Sequence, residues 1–195
     1  MLFVPEQDPT YRYIAIDPGS NTLGLSVFDV NLVTMEESVL EAVTFNGEKL
    51  SARSPYVNEV HGDKFARLKA HEENLVRLMF KWKPNAVICE SPFLGRFPQA
   101  FAALTETLSM IRRAVYAYDP TICLETVDPP TAKLAVGVSG KGKDKEDVRQ
   151  GVLKLREQGV KFNMVARLED LDEHSIDSIA VGHHKYLRIK QAFAR

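Results

Sequence analysis

Apolar and polar positions divide the first part of the chain into strand-like segments. Residues 11–17 (YRYIAID) are aromatic and β-branched and end at a carboxylate, and residues 38–45 supply a further strand of similar character. Between them, residues 23–30 carry apolar side chains at Leu23, Leu25, Val27 and Val30. The turn signal PGSNT separates the first two segments. The pattern therefore predicts three strands in a row, of which residues 11–30 form a hairpin.

From residue 63 onward, helical periodicity alternates with short apolar runs. Helices are predicted over 63–82, 99–118, 129–136, 146–158 and 172–191, and strands over 86–90 and 121–127. The polar stretch 46–62 is predicted to be a mobile loop, and 137–145 a flexible basic loop. This order predicts an α/β fold, a mixed five-stranded sheet with an antiparallel three-strand start, then βα units, flanked by helices. We expect a single domain over 1–195, with 1–10 as an N-terminal extension.

Composition narrows the class of protein. The chain has 195 residues, 45% of them hydrophobic and 26% charged, a mixture typical of a globular domain with a full core. No apolar run approaches the roughly 18 residues of a membrane span, so we expect no membrane partner. Cys89 and Cys123 each lie in an apolar stretch, which favours a reducing, cytoplasmic location. The net charge of −1 gives a nucleic-acid partner no global support, so such a partner would need a local basic surface.

Three carboxylates and one imidazole are the candidate site residues. Asp17 and Glu90 each end an apolar strand, where an unpaired carboxylate is costly, and strand carboxyl ends are where sites form in such sheets. Asp177 precedes the apolar run SIAVG, and His174 lies one helical turn earlier on the same face. Taken singly, each acid is more often a turn former, a solvated strand end or a surface residue. Together they would repel one another unless a hard cation such as Mg²⁺ or Mn²⁺ lay between them.

At this point the chain resembles a known family. The stretch IAIDPGSNTLGLSVFD resembles the first motif of the RuvC Holliday-junction resolvases, which have an RNase H-like fold. AVICESPF resembles the second motif, VDPPTAKLAVGVSGKGKDKEDV the helix and basic loop, and EHSIDSIAVGHH the C-terminal acidic helix. The order holds over roughly residues 11–190. The first motif alone is weak, because sugar kinases and actin-like ATPases share its Asp-Gly turn.

The resemblance implies catalytic and metal-binding roles for Asp17, Glu90, His174 and Asp177, with two Mg²⁺ or Mn²⁺ ions in each active site. His174 stands where many relatives have Asp and some have His, which leaves open whether it ligates metal or acts as an acid or base. The neighbouring acids Asp170, Asp172 and Glu173 are interpreted mainly as helix N-terminal charges.

Contacts to DNA are predicted on two surfaces. A basic run beside the predicted loop fits a phosphate backbone, although a solvated basic face explains it equally well. Phe93 is either a core residue or an aromatic that stacks on unpaired bases, as the resemblance implies. The resemblance also implies that Lys133 lies near the scissile phosphate and that helix 99–118 pairs with its copy in a homodimer. The predicted DNA-binding residues are Phe93, Arg96, Lys133, Lys141, Lys143, Lys145 and Arg149.

The sequence therefore predicts a metal-dependent endonuclease that resolves four-way DNA junctions by paired phosphodiester hydrolysis. An alternative within the same chemistry is a RuvC-like nuclease, of bacterial or phage origin, that also cuts flaps, forks and replication intermediates. A DNA-binding protein with an inactive site is the alternative of a different class. An actin-like ATPase is disfavoured, because it needs a second phosphate motif and usually duplicated domains.

Overall fold

A computed structural model describes residues 8–93, 97–139 and 145–194, in which the chain forms a single mixed sheet flanked by helices. The strands are β1 (Thr10–Asp17), β2 (Thr22–Asn31), β3 (Glu37–Asn46), β4 (Ala86–Glu90), β5 (Leu124–Val127) and β6 (Lys161–Phe162). The helices are α1 (Gly47–Ser51), α2 (Pro55–His61), α3 (Asp63–Trp82), α4 (Pro98–Tyr118), α5 (Pro129–Ala135), α6 (Lys145–Lys154) and α7 (Glu173–Phe193). None of the helices in these ranges is long and apolar enough to span a membrane.

The sheet has the strand order β5-β4-β1-β2-β3-β6. β1, β2 and β3 pair antiparallel, whereas β4 pairs parallel to β1 and β5 parallel to β4. The α/β class, the antiparallel start and the βα units are confirmed, but the predicted strand count is one too low. The sixth strand, Lys161–Phe162, pairs parallel to β3 over two residues. Two residues are too few to produce a periodic pattern, so the sequence gives no signal for this strand.

Side chains of β1 alternate between two cores, one on each face of the sheet. Tyr13 and Ala15 pack in the core covered by α5, α6 and α7, whereas Ile14 and Ile16 pack in the core covered by α3 and α4. Because both faces are covered, the middle of β1 (residues 13–16) carries no charged side chain, as is typical of a strand buried on both sides. The central strand is therefore rigid up to its carboxyl end at Asp17.

The predicted loop over 46–62 is wrong, because most of this stretch is helical. α1 begins after Asn46, whose side chain accepts a hydrogen bond from the Lys49 backbone N–H at 2.9 Å, and α2 begins at Pro55. Both are recognised helix-start signals. They are easily overlooked here, since the helices are short and α2 has no buried residue to give an apolar stripe.

Other boundaries differ by a few residues. β1 begins at Thr10, inside the predicted N-terminal extension, and α6 ends at Lys154, four residues early. The predicted basic loop 137–145 lies largely outside the described residues, since 140–144 are not described.

Candidate active site

Two acids end adjacent parallel strands at one edge of the sheet. The register pairs Ile16 of β1 with Cys89 of β4, one residue before Asp17 and Glu90 respectively. Parallel strands end at the same edge, so the two carboxylates extend from neighbouring positions. The sequence prediction that Asp17 and Glu90 come together at strand ends agrees with this placement.

Helix α7 brings the other two candidate residues to the same edge. Its first turn carries His174, and Asp177 follows one turn later. Gly24 of β2, which pairs with Asp17, makes this approach possible: a Cβ there would collide with the backbone carbonyl of His174. The close packing of α7 on β2 therefore depends on a glycine next to the first acid.

His174 is held by hydrogen-bond partners at both ring nitrogens. Its Nδ1 lies 2.9 Å from Asp17 Oδ2, and its Nε2 lies 2.8 Å from Thr22 Oγ1. The hydrogen bond with Asp17 raises the pKa of His174. Since both nitrogens are already engaged, the geometry favours a proton-holding partner of Asp17, and the metal-ligand role of His174 stays a prediction.

Burial and mutual repulsion make this an acidic cluster that resists ionisation. Burial, followed by the charges of Asp17 and Asp177, raises the pKa of Glu90 to about 8. Burial and the charge of Asp17 likewise raise the pKa of Asp177 to about 6. Lys133 of α5 opposes both shifts through its positive charge, which shows that it lies close to the two acids. The three carboxyl groups therefore do not all ionise near neutral pH unless a further positive charge is bound among them.

The donor chemistry fits a hard divalent cation. Among the described residues, no group of three or more His, Cys, Asp or Glu side chains could hold a metal ion in the arrangement seen. The carboxylates of Asp17, Glu90 and Asp177 nevertheless supply the oxygen ligands that Mg²⁺ and Mn²⁺ prefer. A cation would offset the repulsion that raises the pKa values of Glu90 and Asp177. The donor types fit, and the assignment of these three residues as metal ligands stays a prediction.

The neighbouring acids have other partners. Asp172 caps α7, where its Oδ1 accepts hydrogen bonds from the Ser175 N–H at 2.9 Å and the Thr44 hydroxyl at 2.6 Å. Asp170 accepts a hydrogen bond from Arg167 Nε at 2.8 Å. The interpretation of Asp172 as a helix N-terminal charge agrees with its capping contact. Glu173 instead accepts a hydrogen bond from Lys145 Nζ at 2.6 Å.

An open groove next to the acids carries two of the predicted DNA-binding residues. Phe93, Lys133 and Leu134 line a cavity of about 480 Å³ between the end of β4 and α5. Phe93 is 63% exposed, which excludes the core alternative for this side chain. Its stacking role stays a prediction, but an exposed ring beside the site is what that role requires.

The other predicted DNA-binding residues are placed less favourably or not described. The Arg149 guanidinium donates hydrogen bonds to the carbonyl oxygens of Leu171, at 2.8 Å, and of Glu169, so it supports the turn before α7. Lys145 lies beside the site but is paired with Glu173. The remaining three, Arg96, Lys141 and Lys143, lie outside the described residues.

Sequence reasoning missed two residues that shape the site. Thr22, at the start of β2, orients His174 through a hydrogen bond, and Gly24 leaves the space that α7 needs to pack closely on β2. A glycine inside an alternating strand pattern signals a close backbone approach, so Gly24 could have been found. Thr22 carried no such signal, because its partner is 152 residues away in the sequence.

The fold of this chain is similar to that of solved RuvC and other Holliday-junction resolvases, which confirms the resemblance at the level of fold. RuvC of Thermus thermophilus, solved in complex with a Holliday-junction substrate, superimposes with a TM-score of 0.66 at 18% identity, covering 93% of this chain and 97% of that chain. The yeast mitochondrial Holliday-junction resolvase Ydc2 superimposes with a TM-score of 0.66 at 15% identity, and the match covers 96% of this chain and 82% of that chain. The fowlpox virus Holliday-junction resolvase superimposes with a TM-score of 0.60 at 10% identity, and the match covers 91% of this chain and 99% of that chain.

No protein-family model matches the chain, and a search of curated proteins finds no match either. The likeness to known proteins therefore rests on the three-dimensional fold, while the activity has to be argued from the site.

Proposed function

We propose that the protein is a metal-dependent endonuclease that cuts branched DNA, with the four-way junction as its principal substrate. The observation that carries the proposal is the meeting of Asp17, Glu90 and Asp177 at one sheet edge, where burial and mutual repulsion raise the pKa of Glu90 to about 8. A cluster of repelling carboxyl groups costs stability, which supports the assignment of this sheet edge to function. The similar folds of solved Holliday-junction resolvases support DNA as the substrate.

The three carboxylates would hold two Mg²⁺ or Mn²⁺ ions. When bound, such ions activate water and offset the charge that develops on the phosphate during in-line hydrolysis. The protein's part is to place the ligands. Asp17 and Glu90 are fixed by two central strands, and Asp177 is fixed by a helix packed against the same sheet. Rigid elements of this kind hold a site more accurately than loops do.

His174 would hold or transfer a proton beside Asp17. In its neutral form, Nδ1–H can donate to Asp17 Oδ2 while Nε2 accepts from the Thr22 hydroxyl. This arrangement orients one oxygen of Asp17. It would also keep an imidazole, whose pKa is raised by its hydrogen bond with Asp17, beside a phosphate bound at the acids.

Lys133 and Phe93 would contact the DNA on the β4 side of the site. The Lys133 ammonium lies near enough to Glu90 and Asp177 to affect the pKa of both, so a phosphate bound at these acids would also meet this cation. Phe93 offers an exposed ring to a base that is unpaired at a junction. Cleavage of both strands of a four-way junction would use a homodimer, as the family resemblance implies.

The test is a cleavage assay on a panel of end-labelled substrates with Mg²⁺ or Mn²⁺. We expect the four-way junction to be cut faster than a fork, a flap or a linear duplex, and the products to carry 5′-phosphate ends that ligase can seal. Equal cutting of forks and flaps would favour the broader nuclease. Tight binding without cutting of any substrate would favour a DNA-binding protein with an inactive site.

A further inference from the structure

The first residue of α6 and the first residue of α7 are joined by a short ionic hydrogen bond at the margin of the site. Lys145 Nζ donates to Glu173 Oε2 at 2.6 Å. This hydrogen bond raises the pKa of Lys145, and the charges of Asp177 and Asp17 raise it further. The ammonium therefore already lies within the field of two of the acids assigned to the site, although it touches neither of them.

This contact borders a small cavity. Lys145, Arg149, Glu173 and Asp177 are among the residues lining a space of about 180 Å³ between α6 and α7. Arg149 is committed to main-chain carbonyls of the turn before α7. Among the described residues that line this space, Lys145 differs from Arg149 in its partner. Lys145 is paired with a side chain, which can rotate away, whereas Arg149 is bound to the main chain.

A DNA phosphate and Glu173 would compete for Lys145. A phosphate within hydrogen-bond distance of Nζ would also lie close to the Glu173 carboxylate, and the two anions would repel each other. Glu173 has room to turn away from Lys145, because its side chain is substantially exposed to solvent. Displacement from Lys145 would therefore leave the carboxylate hydrated.

We propose that Glu173 is an internal competitor of the DNA backbone: it occupies Lys145 in the free protein and is displaced by a phosphate when DNA enters the site. The inference rests on the proposed DNA-binding function and adds a residue that regulates it. Both side chains are substantially exposed, at 70% for Lys145 and 43% for Glu173. Exposed pairs contribute modestly, so we expect removal of the competitor to tighten DNA binding by about two- to fivefold.

The test is a double-mutant cycle on DNA affinity. A labelled four-way junction is titrated in EDTA, where cleavage cannot occur, with wild type, Glu173→Gln, Lys145→Ala and the double variant. We expect Glu173→Gln to tighten binding clearly more in the wild-type background than in the Lys145→Ala background, where only the loss of one negative charge acts. Glu173→Ala should reproduce the result, which guards against a peculiarity of the glutamine.

Glu146→Gln is the matched control. Glu146 lines the same cavity and carries the same charge, but its Oε1 accepts a hydrogen bond from Gln150 Nε2 rather than from Lys145. Its removal should change affinity equally in both backgrounds, because only bulk charge changes. The inference would be overturned if Glu173→Gln tightened binding equally in both backgrounds or did not tighten it at all. It would also be overturned if wild type did not bind the junction. Failure of the proposed function is separate: wild type would bind the junction, with the cycle intact, yet cleave no branched DNA when Mg²⁺ or Mn²⁺ is supplied.

Discussion

Helix α7 carries two imidazole–carboxylate pairs of nearly equal length in different surroundings. His174 Nδ1 lies 2.9 Å from Asp17, with the two side chains 31% and 14% exposed. His183 Nδ1 lies 2.8 Å from Glu37, and there the side chains are only 5% and 1% exposed. Distance alone would assign the pairs the same role, so the difference must come from what surrounds them.

The surroundings separate a structural contact from a functional one. His183 and Glu37 are sealed in the core, and the pair fixes α7 against the first residue of β3. At the sheet edge, His174 shares its surroundings with three carboxyl groups, and burial together with their mutual repulsion raises the pKa of Glu90 and of Asp177. A buried matched pair specifies how elements pack, whereas a partly open cluster of carboxyl groups that repel one another is suited to binding a cation.

The largest expected effect is at the acidic edge. Asp17→Asn, Glu90→Gln and Asp177→Asn should each reduce junction cleavage by at least about a hundredfold, because even the loss of a residue behind a metal ligand costs about 10–100-fold. Each substitution removes a ligand charge at constant volume, so junction binding in EDTA should remain close to that of wild type. Single-turnover cleavage and a binding titration measure the two quantities. A variant that cuts at nearly the wild-type rate would not belong to the site.

The next largest effect is at the buried pair. His183→Ala leaves the Glu37 carboxylate buried without its partner and should lower the free energy of unfolding by about 3–5 kcal/mol. Urea denaturation measures this loss. Below the melting temperature, the surviving folded protein should still cleave the junction. His174→Ala is the matched substitution at the edge, and a stability loss as large as that of His183→Ala would remove the distinction between the pairs.

This distinction was only partly accessible from the sequence. Asp17 and Glu90 could be predicted because each follows an apolar run at the end of a strand, and strand ends are local features. His174 and Asp177 could be predicted from their spacing on one helix. The partnership of His183 with Glu37 could not, since the two residues are 146 positions apart and only the docking of α7 on β3 brings them together.

The same limit explains the errors at the level of the fold. The strand Lys161–Phe162 depends on pairing with β3 and has no pattern of its own. The pairing of Lys145 with Glu173 depends on how α6 packs against α7. Local chemistry was therefore readable from the sequence, and contacts created by tertiary packing were not.

The pH dependence of stability should sharpen the comparison further. Because the pKa of Glu90 is raised to about 8 and that of Asp177 to about 6, the metal-free folded protein binds more protons than the unfolded chain between their ordinary and raised values. The free energy of unfolding should therefore fall as the pH rises from about 4.5 to 8. Each carboxyl that is protonated in the folded protein and ionised in the unfolded chain lowers it by up to about 1.4 kcal/mol per pH unit. Urea denaturation across this range, in EDTA, measures the slope.

Glu90→Gln provides the control for that slope. Between about pH 6 and 8, where Asp177 has largely ionised, the variant should lose stability less steeply than wild type. Identical slopes for the two proteins in this window would show that Glu90 does not have its raised pKa.

A smaller effect is expected at Phe93. Because the ring is 63% exposed, Phe93→Ala should change the free energy of unfolding by no more than about 0.5 kcal/mol. Loss of stacking on one base, about 1–3 kcal/mol, should slow cleavage of an intact junction by roughly tenfold. A junction with mismatches already open at the crossover should be cut at close to the wild-type rate. Absence of this rescue would count against the stacking role.

The most direct test of the central claim is a calorimetric titration of Mn²⁺ into the DNA-free protein near pH 8, where Glu90 can ionise. We predict saturable binding to wild type that weakens at least about tenfold in Glu90→Gln. It should be unchanged in Glu169→Gln, whose carboxylate pairs with Arg156 outside the acidic cluster. Absence of saturable binding to wild type, or equal affinity in Glu90→Gln, would contradict the assignment of this edge as a metal-dependent active site.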